Sequence, residues 1–239
     1  MNKGTKDKNP VGYHFPSLRK DRMHVRNMIN HVRTFIEENV PAGDTICVSC
    51  SAGIDSMCLA DILYRVYRIS ERNPVCVLHV NHGLRPMENP IEHDLIASNC
   101  KEKGLDSHIL DGKINKGVGL QDRARSVRYK AIFDFASKAN VKDIFVAHNK
   151  NDVVEGMMIK LFQGRIDNSD GQFKVYGLKP NHNIGTFTIF RPLLSFTRKD
   201  VERYMKTMNL KWHEDSSNKT DDYLRNYIRH NVIPKTFLA

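Results

Sequence analysis

Five short stretches of this 239-residue chain concentrate its reactive side chains. Ser51-Ala52-Gly53-Ile54-Asp55-Ser56 is a run of small and hydroxyl residues. It lies between an apolar β-branched stretch, 45–48, and a helical pattern in which residues 59, 62, 63 and 66 share a face. A loop of this kind at a helix N-terminus offers backbone N–H groups and the positive end of the helix dipole to a phosphate. It is not the Walker loop, because no Lys-Ser/Thr pair follows Gly53. The plain alternative is a strand–turn–helix joint with Ser and Asp as caps.

Further along the chain, His79-Val80-Asn81-His82-Gly83-Leu84-Arg85 places two imidazoles and a guanidinium where a nucleotide edge or a phosphate could be met. Ala124-Arg125-Ser126-Val127-Arg128-Tyr129 adds two arginines. In the stretch 147–155, His148, Asp152 and Glu155 follow spacings of four and three, which puts them on one helical face. The two carboxylates could hold Mg²⁺ through oxygen while the imidazole handles a proton. Without a ligand, Asp152 would be an N-cap and Glu155 a solvated side chain. Arg225 and Arg229 are four apart and can clamp phosphate, or else form a solvated basic face. Asp215-Ser216-Ser217-Asn218 precedes them, and Arg191 opens Arg191-Pro192-Leu193-Leu194.

The elements that must position these groups alternate. Strands are expected at 45–48, 75–80, 107–110, 143–147 and 186–190. Helices are expected at 19–39, 90–103, 120–139, 152–162, 197–208 and 221–232, besides the one after the loop. Such alternation predicts an α/β fold, a Rossmann-like parallel sheet with helices on both faces. Ligands in these sheets bind beyond the strand C-termini, and the stretches 51–56, 79–85 and 147–155 all fall there. Residues 163–183 read as a loop, since they are rich in Gly, Asn, Asp and Lys. Residues 1–18 read as a basic, disordered tail, followed by one domain over 19–239 with an entry helix at 19–39 and a helical segment at 196–234.

Composition narrows the partners. Lys plus Arg number 37 against 27 Asp plus Glu, a net charge of +10, which favours a polyanion and nucleic acid first. Five cysteines, an odd count falling in apolar runs, suit reduced packing residues of a cytoplasmic protein. Cys47-x-x-Cys50 has no second pair to complete a zinc site. No apolar run reaches the roughly 20 residues that span a bilayer, and the N-terminus lacks a signal-peptide core.

In their order along the chain, these motifs resemble the tRNA(Ile) lysidine synthetases of the PP-loop ATP pyrophosphatase (adenine nucleotide alpha hydrolase-like) superfamily, over residues from about 44 to 234. The resemblance implies an ATP-dependent ligase that adenylates the wobble cytidine of a CAU-anticodon tRNA(Ile) and joins free L-lysine to it, with ATP and Mg²⁺ as cofactors. Carried over, Ser51, Ala52, Gly53, Ile54, Asp55, Ser56, His79 and His82 would bind ATP, and Asp55 and Asp152 would hold Mg²⁺. Asp55, His148, Asp152 and Arg125 would be catalytic, and Arg85, Arg128, Arg191, Arg225 and Arg229 would meet RNA or phosphate. A homodimer is a candidate assembly. The chain departs from the family at Ala52, where a glycine is usual, at Gly156, where Thr is usual, and at Asn149-Lys150, where a pair containing His is usual. Family members commonly continue into helical domains that grip the tRNA. Ending at Ala239, this chain is a short form gripping with its basic tail and entry helix, a fragment, or a protein with different recognition. The rival readings are another PP-loop tRNA modifier, such as a thiolase, and a non-catalytic RNA-binding relative. A thiolase would generally need catalytic cysteines or an iron–sulfur cluster, and Cys58, Cys76 and Cys100 are not paired in sequence.

Overall fold

The computed structural model describes residues 18–84, 86–115, 117, 119–165, 177–214 and 224–233. Arg85, most of the N-terminal tail, residues 166–176 of the expected loop, Asp215-Ser216-Ser217-Asn218 and the start of the last expected helix lie outside the described residues.

Six strands form one sheet: β1 (Ile46–Ser49), β2 (Val75–Asn81), β3 (Asp106–Asp111), β4 (Asp143–Phe145), β5 (Asn181–Ile184) and β6 (Phe187–Phe190). Their order is β3-β2-β1-β4-β6-β5, and every pairing is parallel except the β5–β6 hairpin. Alternation along the strands divides the core into two layers, as a period of two requires. Ile46, Val48, Val75, Val77, Phe145 and Phe190 face one layer, and Cys47, Cys76, Leu78, Ile144 and Ile189 face the other. The first layer packs under α1 (Arg19–Asn39), α2 (Ile54–Ser70), α3 (Asn89–Lys103) and α6 (Arg198–Thr207), through residues such as Met28, Leu59, Ile96 and Tyr204. The second is covered by α4 (Leu120–Lys138), through Ile132 and Ala136. The expectation of helices on both faces therefore holds, with a sheet that is mostly rather than wholly parallel.

All of β5 but its last residue lies inside the stretch 163–183 read as loop. All four of its residues are exposed, and it is an edge strand paired only with β6, so it carries no alternating apolar signal. Gly185, at φ +58°, makes the tight turn into β6. After a 3-10 turn at Pro192–Ser195, Thr197 caps α6 by accepting from Asp200 N, while Asp200 Oδ2 accepts from Thr197 N at 2.8 Å. The chain ends its described part in α7 (Leu224–Tyr227), which runs on as a π-helical turn at Ile228–Val232.

One further device holds the helices together. Asp61, 1% exposed, takes Arg65 of its own helix at 2.6 Å, Lys103 of α3 at 3.1 Å and the Tyr204 hydroxyl of α6 at 2.7 Å. All five cysteines are buried and free. No helix among the described residues is long and apolar enough to cross a membrane.

Candidate functional site

A cleft of about 1150 Å³ opens over the C-terminal ends of β1, β2 and β4. Its floor is the loop 51–56. Ser56 Oγ accepts from Ser51 N at 3.0 Å and donates to Gly53 O at 2.9 Å, so one hydroxyl closes the turn from within. Ala52 sits at φ +61°, in the left-handed region where glycine is free and an L side chain is strained. That is the physical reason a glycine suits this position, and here a buried methyl takes its place. Two backbone carbonyls of the loop are tied from outside. Cys50 O accepts from His79 Nδ1 at 2.9 Å, and Ala52 O accepts from His213 N at 2.9 Å.

At the first turn of α2, Asp55 Oδ1 accepts from Asn149 Nδ2 at 2.9 Å, and Asp55 Oδ2 is bound by Arg198 Nη1. Burial pushes the Asp55 carboxyl up, and the charge of Asp152 adds to this against the opposing pull of Arg198, so its net shift is upward. Asn149 also caps α5 (Lys150–Phe162) by accepting from Asn151 N and Asp152 N, and Asp152 Oδ2 accepts from Asn149 N at 2.9 Å. Asp152 is thus both the reciprocal cap and a cleft-lining carboxylate. Asn149 and Arg198 were not among the expected site residues. Asn149 appeared in sequence only as a departure from a pattern, and Arg198 gave no local signal, because its partner lies far away on α2.

Glu155 is not the solvated side chain of the ligand-free alternative, and both oxygens that could have held a cation are taken by an arginine. It is 1% exposed and receives a bidentate pair from Arg229, Nε to Oε1 at 2.7 Å and Nη2 to Oε2 at 3.0 Å, with Arg225 Nε at 3.8 Å. Bidentate arginine–carboxylate pairing is the geometry that survives burial. The two arginines therefore share one face, as expected, and that face is turned to Glu155 at the cleft rather than to solvent.

His148 lines the cleft, and its Nδ1 is buried with no hydrogen-bond partner among the described residues. Burial lowers its pKa to about 4, with Arg191, Arg125 and Arg225 adding to the effect and Asp152 opposing it. The imidazole is neutral at physiological pH and can accept a proton or a hydrogen bond. His79 is lowered to about 4 as well, mainly by burial, and serves the loop's Cys50 carbonyl. His82 Nδ1 donates to Gly112 O at 3.0 Å. Gly112 needs its missing Cβ here, since one would collide with Val80 Cγ1.

Arg125 and Arg128 project from α4 into the cleft, Arg125 lying 5.0 Å over the Tyr129 ring. Among the described residues neither is paired with a carboxylate. Arg191 is 5% exposed, donates from Nη1 to Lys179 O at 3.0 Å and is absent from the cleft lining. Of the expected site, the structure therefore brings together the loop 51–56 with His79, His82, Arg125, Arg128, His148, Asp152, Arg225 and Arg229. It leaves Arg191 behind the wall.

Cys50 also lines the cleft but is 2% exposed, with Sγ 3.6 Å from Ser56 Oγ and its thiol pushed up by burial. It is not poised as a thiolate.

Comparison with known proteins identifies the family. The PP-loop domain family matches residues 24–236. The chain is 33% identical over 205 residues to a tRNA(Ile)-lysidine synthase of Thermosipho africanus, covering 83% of this chain and 44% of that one. It is 35% identical over 187 residues to the tRNA(Ile)-lysidine synthase of Wolbachia pipientis, covering 77% and 42%. The chain thus spans less than half the length of these relatives. Among solved structures, the U34-tRNA thiolase NcsA of Methanococcus maripaludis, with its 4Fe-4S cluster, superposes with a TM-score of 0.69 at 16% identity over 87% of this chain and 71% of that one. That likeness concerns the fold alone.

Proposed function

The chain belongs to the PP-loop domain family, and from that premise we propose that it is an ATP-dependent tRNA-modifying ligase that forms lysidine on the wobble cytidine of a CAU-anticodon tRNA(Ile). The observation that carries this reading is the meeting, in one cleft, of a phosphate-binding loop, a repelling carboxylate pair, a neutral histidine and unpaired arginines, in a chain similar over most of its length to tRNA(Ile)-lysidine synthases.

In the first step the cytidine C2 oxygen attacks the α-phosphorus of ATP and expels pyrophosphate. The backbone N–H groups of 51–56 and the N-terminus of α2 face the charge that builds on that leaving group. Arg198, Arg225 and Arg229 stand within the same cleft to meet it. In the second step the ε-amine of lysine attacks C2, expels AMP and gives up a proton. Free lysine has a pKa of about 10.4, so a base must take that proton. His148 is neutral and has a free buried nitrogen for this task. Arg125 and Arg128 support docking of the RNA strand, which an unpaired anticodon loop allows at low unstacking cost.

Asp55 and Asp152 fit a divalent cation held by oxygen. They are close enough for Asp152 to raise the Asp55 carboxyl, and a dication between them would relieve that repulsion. Mg²⁺ there would neutralise charge on the phosphates. The thiolase alternative is disfavoured by the cysteines, which are all buried.

The test is direct. ATP, labelled lysine and a CAU-anticodon tRNA transcript are incubated with the protein, and the nucleosides are digested and weighed. A cytidine heavier by one condensed lysine, with one AMP released per modification, is expected. ATP cleavage that depends on another acceptor, with unmodified cytidine, would sink the reading.

A further inference from the structure

Asp55 already carries a cation of the protein's own. Its Oδ2 is bound by Arg198 Nη1 from α6, and its Oδ1 accepts from Asn149 Nδ2 at 2.9 Å. The divalent cation proposed for this carboxylate would sit on the same group, with Asp152 beside it. A guanidinium and a dication repel each other when they share one carboxylate oxygen. Arg198 must therefore yield Asp55 Oδ2 before a metal can take it.

The contact is built to yield. Two other arginine–carboxylate pairs on α2 and α5 are locked: Asp61 and Arg65 are both buried, and buried Glu155 receives two prongs from Arg229. The Asp55 contact differs in three ways. Among the described residues, Nη1 is the one prong that Arg198 gives Asp55. The side chains of Arg198 and Asp55 are 40% and 26% exposed, and ion pairs open to water are weak. Arg198 also has a second carboxylate in hand, since its Nε donates to Glu202 Oε1 at 3.3 Å, one turn further along α6. The root of the side chain is fixed meanwhile. Arg198 N donates to Asn151 Oδ1 at 3.0 Å, which ties α6 to the turn of α5 that carries Asp152. With Nε kept by Glu202, only the tip of the guanidinium has to turn. Arg198 and Glu202 line the cleft together with Asp55 and the phosphate loop, so the triphosphate would lie within that turn.

We propose that Arg198 is a placeholder. It holds Asp55 in the nucleotide-free protein, yields Asp55 Oδ2 to the divalent cation that accompanies ATP, and turns to the triphosphate while Glu202 retains its Nε. This role presupposes the ATP site proposed above and not the RNA substrate. It couples the two ligands: the metal frees the arginine for the phosphates, and the phosphates occupy the arginine that the metal displaces. Metal alone therefore binds weakly, because it leaves the guanidinium without its anion.

The experiment uses the full chain and two binding measurements, with no turnover. Mn²⁺ binding without nucleotide is followed by electron paramagnetic resonance. Binding of labelled α,β-methylene-ATP, which cannot release pyrophosphate, is followed by equilibrium dialysis at saturating Mn²⁺. Arg198→Ala, at a partly exposed position, should move the two in opposite directions: Mn²⁺ binds about tenfold tighter and the nucleotide about tenfold weaker. Adding Asp55→Asn to Arg198→Ala should abolish the gain in Mn²⁺ affinity. A shift of both ligands in the same direction, no shift in either, or a Mn²⁺ gain that survives Asp55→Asn would each overturn the placeholder role and leave the ATP site standing. A parent chain that binds no α,β-methylene-ATP would overturn both.

Discussion

Asp55 and Asp61 lie on the same helix, less than two turns apart, and their surroundings treat them in opposite ways. Burial alone would raise both. Around Asp61, Arg65 and Lys103 outweigh that cost, helped by the Arg65 and Tyr204 hydrogen bonds, and the carboxyl falls below its ordinary range. Around Asp55, burial and the neighbouring Asp152 win over Arg198, and the carboxyl rises. The first region is a closed network that joins α2, α3 and α6. In the second, burial costs the charged carboxylate more than Arg198, Asn149 and Arg229 return. The difference separates a carboxylate that supports the fold from one kept available for a ligand.

Substitution should break the pair apart. Asp55→Asn is expected to lower AMP formation by about 10²–10³-fold, the size of losing one electrostatic contact to a developing charge, while stability changes by less than about 1 kcal/mol. Asp61→Asn should do the reverse: about 3–5 kcal/mol of stability is lost, because two cations are left beside a neutral amide in the interior. Urea unfolding together with single-turnover AMP release checks both. Equal loss of stability in the two variants would erase the distinction.

Glu155 tests where the cleft belongs on that scale. Glu155→Gln removes the charge that holds Arg229 and should cost roughly 2–3 kcal/mol. It should also shift the ATP KM, because the freed guanidinium adds a cation to the cleft. A fall in stability with an unmoved KM would place Glu155 with Asp61 rather than with Asp55.

Acid sharpens the comparison further. His79 and His148 have folded pKa values lowered to about 4 from 6.5. Between those values the unfolded chain binds more protons than the native one, so stability is full above about pH 6.5 and falls as pH drops towards 4. For the buried His79 the full effect is about 3 kcal/mol. Denaturant midpoints measured between pH 7 and pH 5 should decline steadily, and a flat profile would mean that neither ring is held neutral. The smallest effect is expected from Ala52→Gly. Relief of the left-handed strain, about 1 kcal/mol or slightly more, is nearly cancelled by loss of a buried methyl worth about 0.8 kcal/mol and by added chain freedom. Calorimetry should show a melting temperature within a few degrees of the parent's.

What was legible in sequence follows from range. Strands β1, β2 and β4 announced themselves because both faces are buried, and the loop 51–56 because its residue types act locally through backbone and helix end. The strand β5 was illegible because nothing along it is buried. At the cleft, His148 and Asp152 were found by a helical spacing, although His148 stands just before the Asn149 cap of α5 rather than on the helix. Arg198 was missed, and the arginine pairing of Glu155 was not foreseen, because their partners stand on other helices, a relation that no local window contains. Arg191 looked like a phosphate ligand by its charge, yet its guanidinium serves a neighbouring backbone carbonyl.

The bond from His213 N to Ala52 O has a consequence for how the protein is made. Synthesis proceeds from the N-terminus, so β1 and the turn after it leave the ribosome long before His213 exists. The strand and the helix flanking the turn can form early from nearby contacts, but the Ala52 carbonyl must wait for a partner at high sequence separation. The phosphate loop is therefore translated well before the segment that completes its working shape. Until then a nascent chain should bind nucleotide poorly, however complete its sheet.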